Sequence, residues 1–247
     1  MSAVATTPGA LARFGALFIP ERRRGVVRLD DPRADAALAT RTRRDVALAN
    51  RCFGGTSAVL AALRPLLRTA RDSSTQLSLL DVGTGLGDIP ARARRLANRE
   101  GIHLTTLGLE RTTAVAAAAR PRAELACVGD GLALPFADRS IDVVTCSQVL
   151  HHFADPEASV LLRELHRVAR RLVIIADLRR SWLAAAGIWG ASYALRFHPV
   201  SRHDGVLSVL RGYRLPELAR LVRGAVGVTP LVRDHRGFRV TASWSPT

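Results

Sequence analysis

The sequence predicts a mixed α/β fold built on a doubly wound, mostly parallel sheet of seven strands. Its 247 residues suffice for one sizeable domain. The composition is that of a folded globular protein, with 48% hydrophobic, 5% aromatic and 23% charged residues. From residue 77 onward, short apolar runs alternate with helical stretches, as they do in βαβ units. We therefore expect an N-terminal helical extension or lid over residues 1–75 and one domain over residues 76–247.

The extension is predicted to contain helices. Asp31 and Pro32 offer a capping residue followed by a proline in the first helical turn. Gly54 and Gly55 end this pattern, and a second helix is expected to begin at residues 56–57. These helices precede the sheet in the chain.

Seven apolar runs are predicted to form the sheet. They are residues 77–82, 103–109, 123–128, 141–147, 172–176, 226–232 and 238–244. Helices are expected at residues 91–100, 112–119, 156–170 and 215–223. The last two strands are expected to form an antiparallel hairpin. An uncharged run followed by a polar stretch forms an insert at about residues 181–205. Doubly wound sheets bind ligands beyond the carboxyl ends of their strands, so the site is expected there.

A glycine-rich turn follows the first strand. It reads Asp81-Val82-Gly83-Thr84-Gly85-Leu86-Gly87. Glycines let the chain turn tightly and let a ligand approach the backbone. A dinucleotide-binding fingerprint would place its third glycine at position 88, where this chain has Asp88. The acid two residues before the first glycine suits a cationic amino group better than a pyrophosphate.

Polar residues also follow the next three predicted strands. Glu110 and Arg111 stand at the second strand end, where a carboxylate can accept hydrogen bonds from both hydroxyls of a ribose. Gly129-Asp130-Gly131 stands at the third strand end, where the Asp130 carboxylate can accept a hydrogen bond from an adenine amino group. Ser147 and Gln148 stand at the fourth. Four signals in order at four strand ends indicate a single ligand.

With these motifs, the chain resembles the class I S-adenosylmethionine (SAM) dependent methyltransferases over residues 77–177. Within them it is similar to the ubiquinone/menaquinone-biosynthesis C-methyltransferase-like branch, also called methyltransferase type 11. The resemblance implies a Rossmann-like domain, with Asp81 facing the ammonium of SAM, Glu110 the ribose and Asp130 the adenine. The cofactor-binding residues that it implies are Asp81, Gly83, Thr84, Gly85, Gly87, Glu110, Arg111, Gly129, Asp130, Gly131, Ser147 and Gln148.

Three histidines are the candidates for catalysis. His151 and His152 follow the fourth strand, and His203 stands beside Asp204 in the insert. If the acceptor is a phenol or an enol, a histidine could remove its proton, which typically accelerates a reaction by about 10²- to 10⁴-fold. The acceptor pocket is expected between the N-terminal helices and the insert. Because the insert carries Trp182, Ile188, Trp189, Tyr193 and Phe197, the acceptor is expected to be small and hydrophobic or aromatic, such as a phenol, a quinone or a polyketide-like molecule.

The formal charge of +15 raises the question of an acidic partner. The basic residues are all arginines and are scattered along the chain, whereas nucleic-acid sites cluster them. This scatter makes a nucleic-acid methyltransferase the alternative and not the first hypothesis. A SAM-binding interaction module without catalysis is the third hypothesis. Peripheral membrane contact by the insert, which has Arg179, Arg180 and Arg196 at its ends, stays open.

Three cysteines bear on the compartment. Cys52, Cys127 and Cys146 show no paired spacing, so neither a disulfide framework nor a metal site is predicted. We expect an enzyme of secondary metabolism in the reducing cytoplasm. No run reaches the ~20 apolar residues that span a bilayer, so no transmembrane segment is predicted.

Overall fold

The computed structural model describes residues 20–23, 36–70 and 76–246. The helices of these residues are α1 (Ala36–Cys52), α2 (Gly55–Ala70), α3 (Asp88–Arg99), α4 (Thr113–Ala119), α5 (Asp155–Val168), α6 (Trp182–Ala194), α7 (Pro199–Arg211) and α8 (Leu215–Val226). The strands are β1 (Leu77–Val82), β2 (Leu104–Glu110), β3 (Leu125–Val128), β4 (Ile141–Ser147), β5 (Ala169–Leu178), β6 (Leu231–His235) and β7 (Arg239–Trp244). One 3₁₀ turn, Leu150–His152, follows β4.

The strands form one seven-stranded sheet in the order β3-β2-β1-β4-β5-β7-β6. The pairs from β3 to β5 are parallel, whereas β7 runs antiparallel to both β5 and β6. The predicted fold class is therefore confirmed. The strand order reverses between β1 and β4, and the crevice at such a reversal is the usual ligand site of a doubly wound sheet.

Helices cover both faces of the sheet because each carries one apolar stripe. On one face, α5 buries Leu161 and Leu165 completely against the core around β4. On the other face, α2 buries Leu63 and Leu67 against Leu79 of β1. The strand β4 is buried along its whole length, as a central parallel strand should be.

Two predicted segments differ from the structure. The polar stretch at residues 196–205, assigned to no element, lies largely within α7, which begins with Pro199 at its first position and is capped by the His198 side chain. The strand predicted at residues 226–232 begins only at Leu231. Its first valine instead ends α8, because that helix is amphipathic and packs on the core, and Gly227 at φ 74° terminates it. The predicted cap at Asp31 and Pro32 lies outside the described residues.

Residues 20–23 are held to the main domain by two arginines. Arg180 donates to the Pro20 carbonyl at 2.8 Å, to the Gly212 carbonyl at 2.6 Å and to a Glu217 oxygen at 2.7 Å. Arg22 donates to the Tyr213 hydroxyl at 2.7 Å. Arg180, one of the three arginines at the ends of the insert, is therefore buried in these contacts.

No single described helix combines the length and the hydropathy that a membrane crossing needs; residues 44–50 and 55–70 reach them only when taken together across a bend of 55°. Within residues 20–23, 36–70 and 76–246, no cluster of His, Cys, Asp and Glu is suited to a metal ion. The three cysteines are free thiols.

Candidate active site

Asp81 lies at the centre of the crevice between β1 and β4. Its Oδ1 atom accepts a hydrogen bond from the Thr145 hydroxyl at 2.7 Å. Its Oδ2 atom is buried and has no partner among the described residues. Burial raises the pKa of this carboxyl group to about 7, although the hydrogen bond from Thr145 acts in the opposite direction. A buried carboxylate with one free oxygen is suited to a cationic group.

The glycine turn after β1 has the backbone that only glycine adopts easily. Gly83, Gly85 and Gly87 have φ angles of 72°, 58° and 75°. A Cβ atom at Gly83 would lie 2.4 Å from a methyl carbon of Val149, whereas one at Gly85 would meet nothing within 4 Å. The turn is thus packed on the protein side and open at Gly85. The buried Thr84 hydroxyl beside this opening has no partner in the described chain.

The carboxylates at the ends of β2 and β3 hold the local backbone, and Glu110 does so with both oxygens, because its Oε2 atom accepts the Arg111 N–H at 3.3 Å. Glu110 accepts the Gly85 N–H at 2.6 Å through Oε1, which brings the end of β2 to the glycine turn. Asp130 accepts the Leu132 N–H at 2.9 Å through Oδ1. Asp130 and Arg111 are exposed, and Glu110 is half-buried. Both carboxylates retain acceptor capacity, because an ionised carboxylate offers about four lone-pair positions.

The end of β4 closes the same crevice. Ser147 is buried, and its hydroxyl has no partner among the residues that the structure describes. The next residue, Gln148, has a positive φ of 57°, and its amide nitrogen donates to Asn50 of α1. The predicted cofactor residues thus lie at consecutive strand ends. The unpaired oxygens of Asp81, Thr84 and Ser147, together with the open cradle at Gly85, fit the amino-acid end of SAM.

A cavity of about 210 Å³ lies beside the end of β4. Its lining comes from α1, α6, α7, the β4 end and the turn between β6 and β7. The apolar part of the lining includes Val46, Phe53, Ile188, Phe197 and Phe238. Of the aromatic residues expected to face the acceptor, Phe197 lines this cavity, whereas Trp182, Trp189 and Tyr193 are exposed on α6. The cavity is predominantly apolar with a few polar groups, as small-molecule sites usually are.

One of the predicted histidines, His151, lines this cavity as part of a buried pair. Its Nδ1 atom lies 2.6 Å from Oδ1 of Asp177, and its backbone N–H donates to Oδ2 at 3.0 Å. Its Nε2 atom is buried without a partner in the described chain. Burial lowers the pKa of His151 despite the neighbouring carboxylate. Burial alone would raise the pKa of Asp177, but His151 holds it below the usual range.

The other two histidines occupy different positions. His152 also lines the cavity, with its ring centroid 4.2 Å from that of His151, and its carbonyl accepts from Arg211 at 2.6 Å. The His203 side chain is 56% exposed and lies 3.1 Å from Asp204. Asp204 lines the cavity, but His203 is not part of its lining. The geometry therefore favours His151 as a base.

Two residues of this site were not predicted from the sequence: Asp177, which pairs with the cavity residue His151, and Arg239, which lines the cavity. Asp177 stands near the end of β5, so an acid at that strand end was a signal that could have identified it. Arg239 is the first residue of β7, and its side chain lines the cavity. No local motif marks Arg239, because its surroundings come from distant parts of the chain.

Comparison with known proteins gives the following matches. Residues 80–176 match the family model described as a methyltransferase domain. A demethylmenaquinone methyltransferase from Thermotoga maritima is 36% identical over 95 residues, which are 38% of this chain and 39% of that protein. A ubiquinone/menaquinone biosynthesis C-methyltransferase from Roseobacter denitrificans is 37% identical over 108 residues, 39% of this chain and 41% of that protein. The chain thus spans about two-fifths of the length of these relatives.

Solved structures share the fold. A magnesium protoporphyrin IX methyltransferase from Synechocystis, solved with bound S-adenosylhomocysteine (SAH), superposes with a TM-score of 0.53 at 16% identity, covering 88% of this chain and 90% of that one. A SAM-dependent methyltransferase from Aquifex aeolicus has a TM-score of 0.50 at 14% identity, covering 73% and 89%. At these identities the likeness concerns the fold. Together the matches confirm the predicted resemblance and show that residues 80–176 form a methyltransferase domain.

Proposed function

We propose that this chain, which contains a SAM-dependent methyltransferase domain, transfers a methyl group to a small, largely apolar acceptor with an ionisable hydroxyl, such as a phenol or an enol. The observation that carries the proposal is the His151–Asp177 pair: His151 lines the apolar cavity at the end of β4, and Asp177 holds its ring from behind. The cavity and the crevice between β1 and β4 meet at the end of β4. Acceptor and cofactor can therefore meet there.

On the cofactor side, each predicted residue receives one task. Asp81 would hold the ammonium group, Glu110 the ribose hydroxyls and Asp130 the adenine amino group. Their support is the free Oδ2 atom of Asp81 and the remaining acceptor capacity of the other two carboxylates. When bound, SAM supplies a methyl group that is already activated on its sulfonium. The chain therefore mainly has to orient the acceptor and exclude water.

On the acceptor side, His151 acts as the general base. Asp177 accepts a hydrogen bond from the Nδ1–H group, so the neutral ring presents an unprotonated Nε2 atom. Burial keeps this ring neutral at physiological pH, as a base must be. The acceptor hydroxyl would donate its proton to Nε2 as its oxygen develops negative charge. Asp177 then stabilises the protonated ring.

The relatives support an acceptor of this chemical class. Both curated relatives are named for quinone biosynthesis, and reduced quinones carry phenolic hydroxyls. Phenols, quinols and phenolic polyketides are therefore the acceptors that we propose to test first. We also propose that the enzyme belongs to secondary metabolism and works in a reducing cytoplasm, which the three free thiols support.

Transfer of a labelled methyl group from SAM to a panel of phenols, quinols and polyketides tests this function. We expect labelled product with at least one hydroxylated acceptor and none with its O-methylated analogue, which has no proton to lose. Binding of SAH without transfer to any acceptor would favour a non-catalytic module. Labelling of RNA or DNA, with binding that falls steeply with salt, would favour the nucleic-acid alternative.

A further inference from the structure

Arg239 is a buried cation that the proposed mechanism does not use. Its side chain lines the cavity, and only 4% of the residue is exposed. The Nε atom donates to the Phe53 carbonyl at 3.3 Å. The Nη1 atom is buried and finds no hydrogen-bond partner in the described part of the chain. The guanidinium group is therefore incompletely paired by the described protein.

Arg239 and the proposed base His151 both line the cavity, Arg239 from β7 and His151 from the turn after β4. Arg239 lies directly opposite Leu178 on β5, the residue after Asp177. Opposed residues of neighbouring strands project from the same face, and Leu178 also lines the cavity. The Arg239 guanidinium and the proposed base His151 thus border the same cavity.

Asp177 does not neutralise Arg239 by direct contact. Its two oxygens already accept the His151 ring and backbone N–H groups and the Leu178 N–H. Among the described residues, no carboxylate forms an ion pair with Arg239. Burial lowers the pKa of Arg239 to about 10, so the group remains charged at neutral pH.

A buried, incompletely paired guanidinium destabilises a fold, because it has lost water without gaining an anion. Two other carboxylates line the cavity on the helical side. Asp45 accepts from the His198 N–H and the Ser201 hydroxyl, and Asp204 lies beside His203. The cavity is therefore acidic where α1 and α7 line it and cationic where β7 lines it. An anionic group is attracted to the β7 side.

We propose that Arg239 binds a carboxylate of the methyl acceptor, which makes the preferred acceptor an aromatic hydroxy acid. This inference rests on the proposed function, because it assigns the ligand of the same cavity. The apolar walls hold the ring system, His151 takes the hydroxyl proton and Arg239 fixes the opposite, anionic end. Guanidinium and carboxylate groups are matched for two parallel hydrogen bonds.

Binding of a matched pair of probes tests the proposal without requiring turnover. The probes are one isomer of hydroxynaphthoate and its neutral amide, hydroxynaphthamide, titrated by calorimetry into the SAH-loaded protein. We expect the carboxylate to bind about 10- to 100-fold more tightly than the amide, the usual range for a hydrogen bond to a charged group. Arg239→Gln is expected to abolish this preference, and Arg239→Lys to retain part of it.

The control variant is Arg233→Gln, which removes an exposed arginine from the neighbouring strand β6 and should leave the preference unchanged. SAH binding by every variant shows that the fold is intact. If wild-type protein binds the carboxylate no more tightly than the amide, undetectable binding of both included, the proposal is overturned whether or not Arg239→Gln folds. Methyl transfer to neutral phenols would then still stand, whereas a carboxylate preference without any methyl transfer would overturn the proposed function alone.

Discussion

The two halves of the site leave different kinds of buried atoms unpaired. In the cofactor crevice these atoms are oxygens, those of Asp81, Thr84 and Ser147. In the acceptor cavity they are nitrogens, those of His151 and Arg239. These five are the buried side-chain polar atoms without a partner in the described chain. Each half is complementary to a different ligand group, the first to a cationic amino group and the second to a hydroxyl and an anion.

The largest expected effect comes from removing the nitrogen base. His151→Ala should lower kcat by about 10²- to 10⁴-fold, because the acceptor hydroxyl loses its general base. The dissociation constant of SAM should not change, since His151 belongs to the other half. Single-turnover kinetics and calorimetry measure the two quantities separately.

His203→Ala is the matched control, because it removes an exposed histidine that also pairs with an aspartate. Its kcat should equal that of the wild type. Equal losses in both variants, or a loss confined to His203→Ala, would assign the base elsewhere.

Next in size is removal of the free carboxylate oxygen from the crevice. Asp81→Asn should raise the dissociation constant of SAM about 10- to 100-fold, because a charged hydrogen bond to the ammonium is lost. Asp88→Asn is the control, since Asp88 follows the same glycine turn but pairs with Arg122 at 3.6 Å. If calorimetry finds equal SAM affinity for the wild type and Asp81→Asn, the ammonium has another partner.

The pH dependence of SAM binding should follow Asp81. Because its pKa in the folded protein is raised to about 7, the carboxyl group is protonated and neutral below that pH. The affinity for SAM should therefore fall as the pH decreases from 8 to 6, by about tenfold at most per pH unit. Titrations in Asp81→Asn should show no such slope, and a wild-type affinity that is constant over this range would contradict the assignment.

Arg180 offers the smallest expected effect on ligands. Its guanidinium is buried like that of Arg239 but donates to two carbonyls and a carboxylate. Arg180→Met should lower the free energy of unfolding by about 3 kcal/mol, because it leaves buried acceptors unpaired. The SAM affinity and the preference for a carboxylate should remain those of the wild type. Thermal unfolding measures the loss of stability, and calorimetry measures the SAM affinity and the preference for a carboxylate.

The crevice was more predictable from sequence than the cavity because its parts are local. Each strand end carries its own polar residues within a few positions, as the sequence Asp81 to Gly87 does, and parallel strands bring such ends together. The cavity combines residues that are far apart in the chain. His151 meets Asp177 only when β4 and β5 are paired, and Phe53 meets Arg239 only when β7 has joined the sheet. Helix α7 was missed for a different reason, since its polar composition hid the start signal at Pro199.

The junction between α1 and α2 is tied to the acceptor cavity at two points. The Phe53 carbonyl accepts from Arg239, and a Cβ atom at Gly237 would lie only 2.1 Å from that same oxygen. Asn50, three residues earlier, accepts from Gln148 at the end of β4. Displacement of this junction therefore alters the volume of the cavity and the orientation of the guanidinium at the same time. In the proposed function, the entry of the acceptor, the recognition of its charge and the release of the methylated product would therefore all depend on the position of one backbone oxygen.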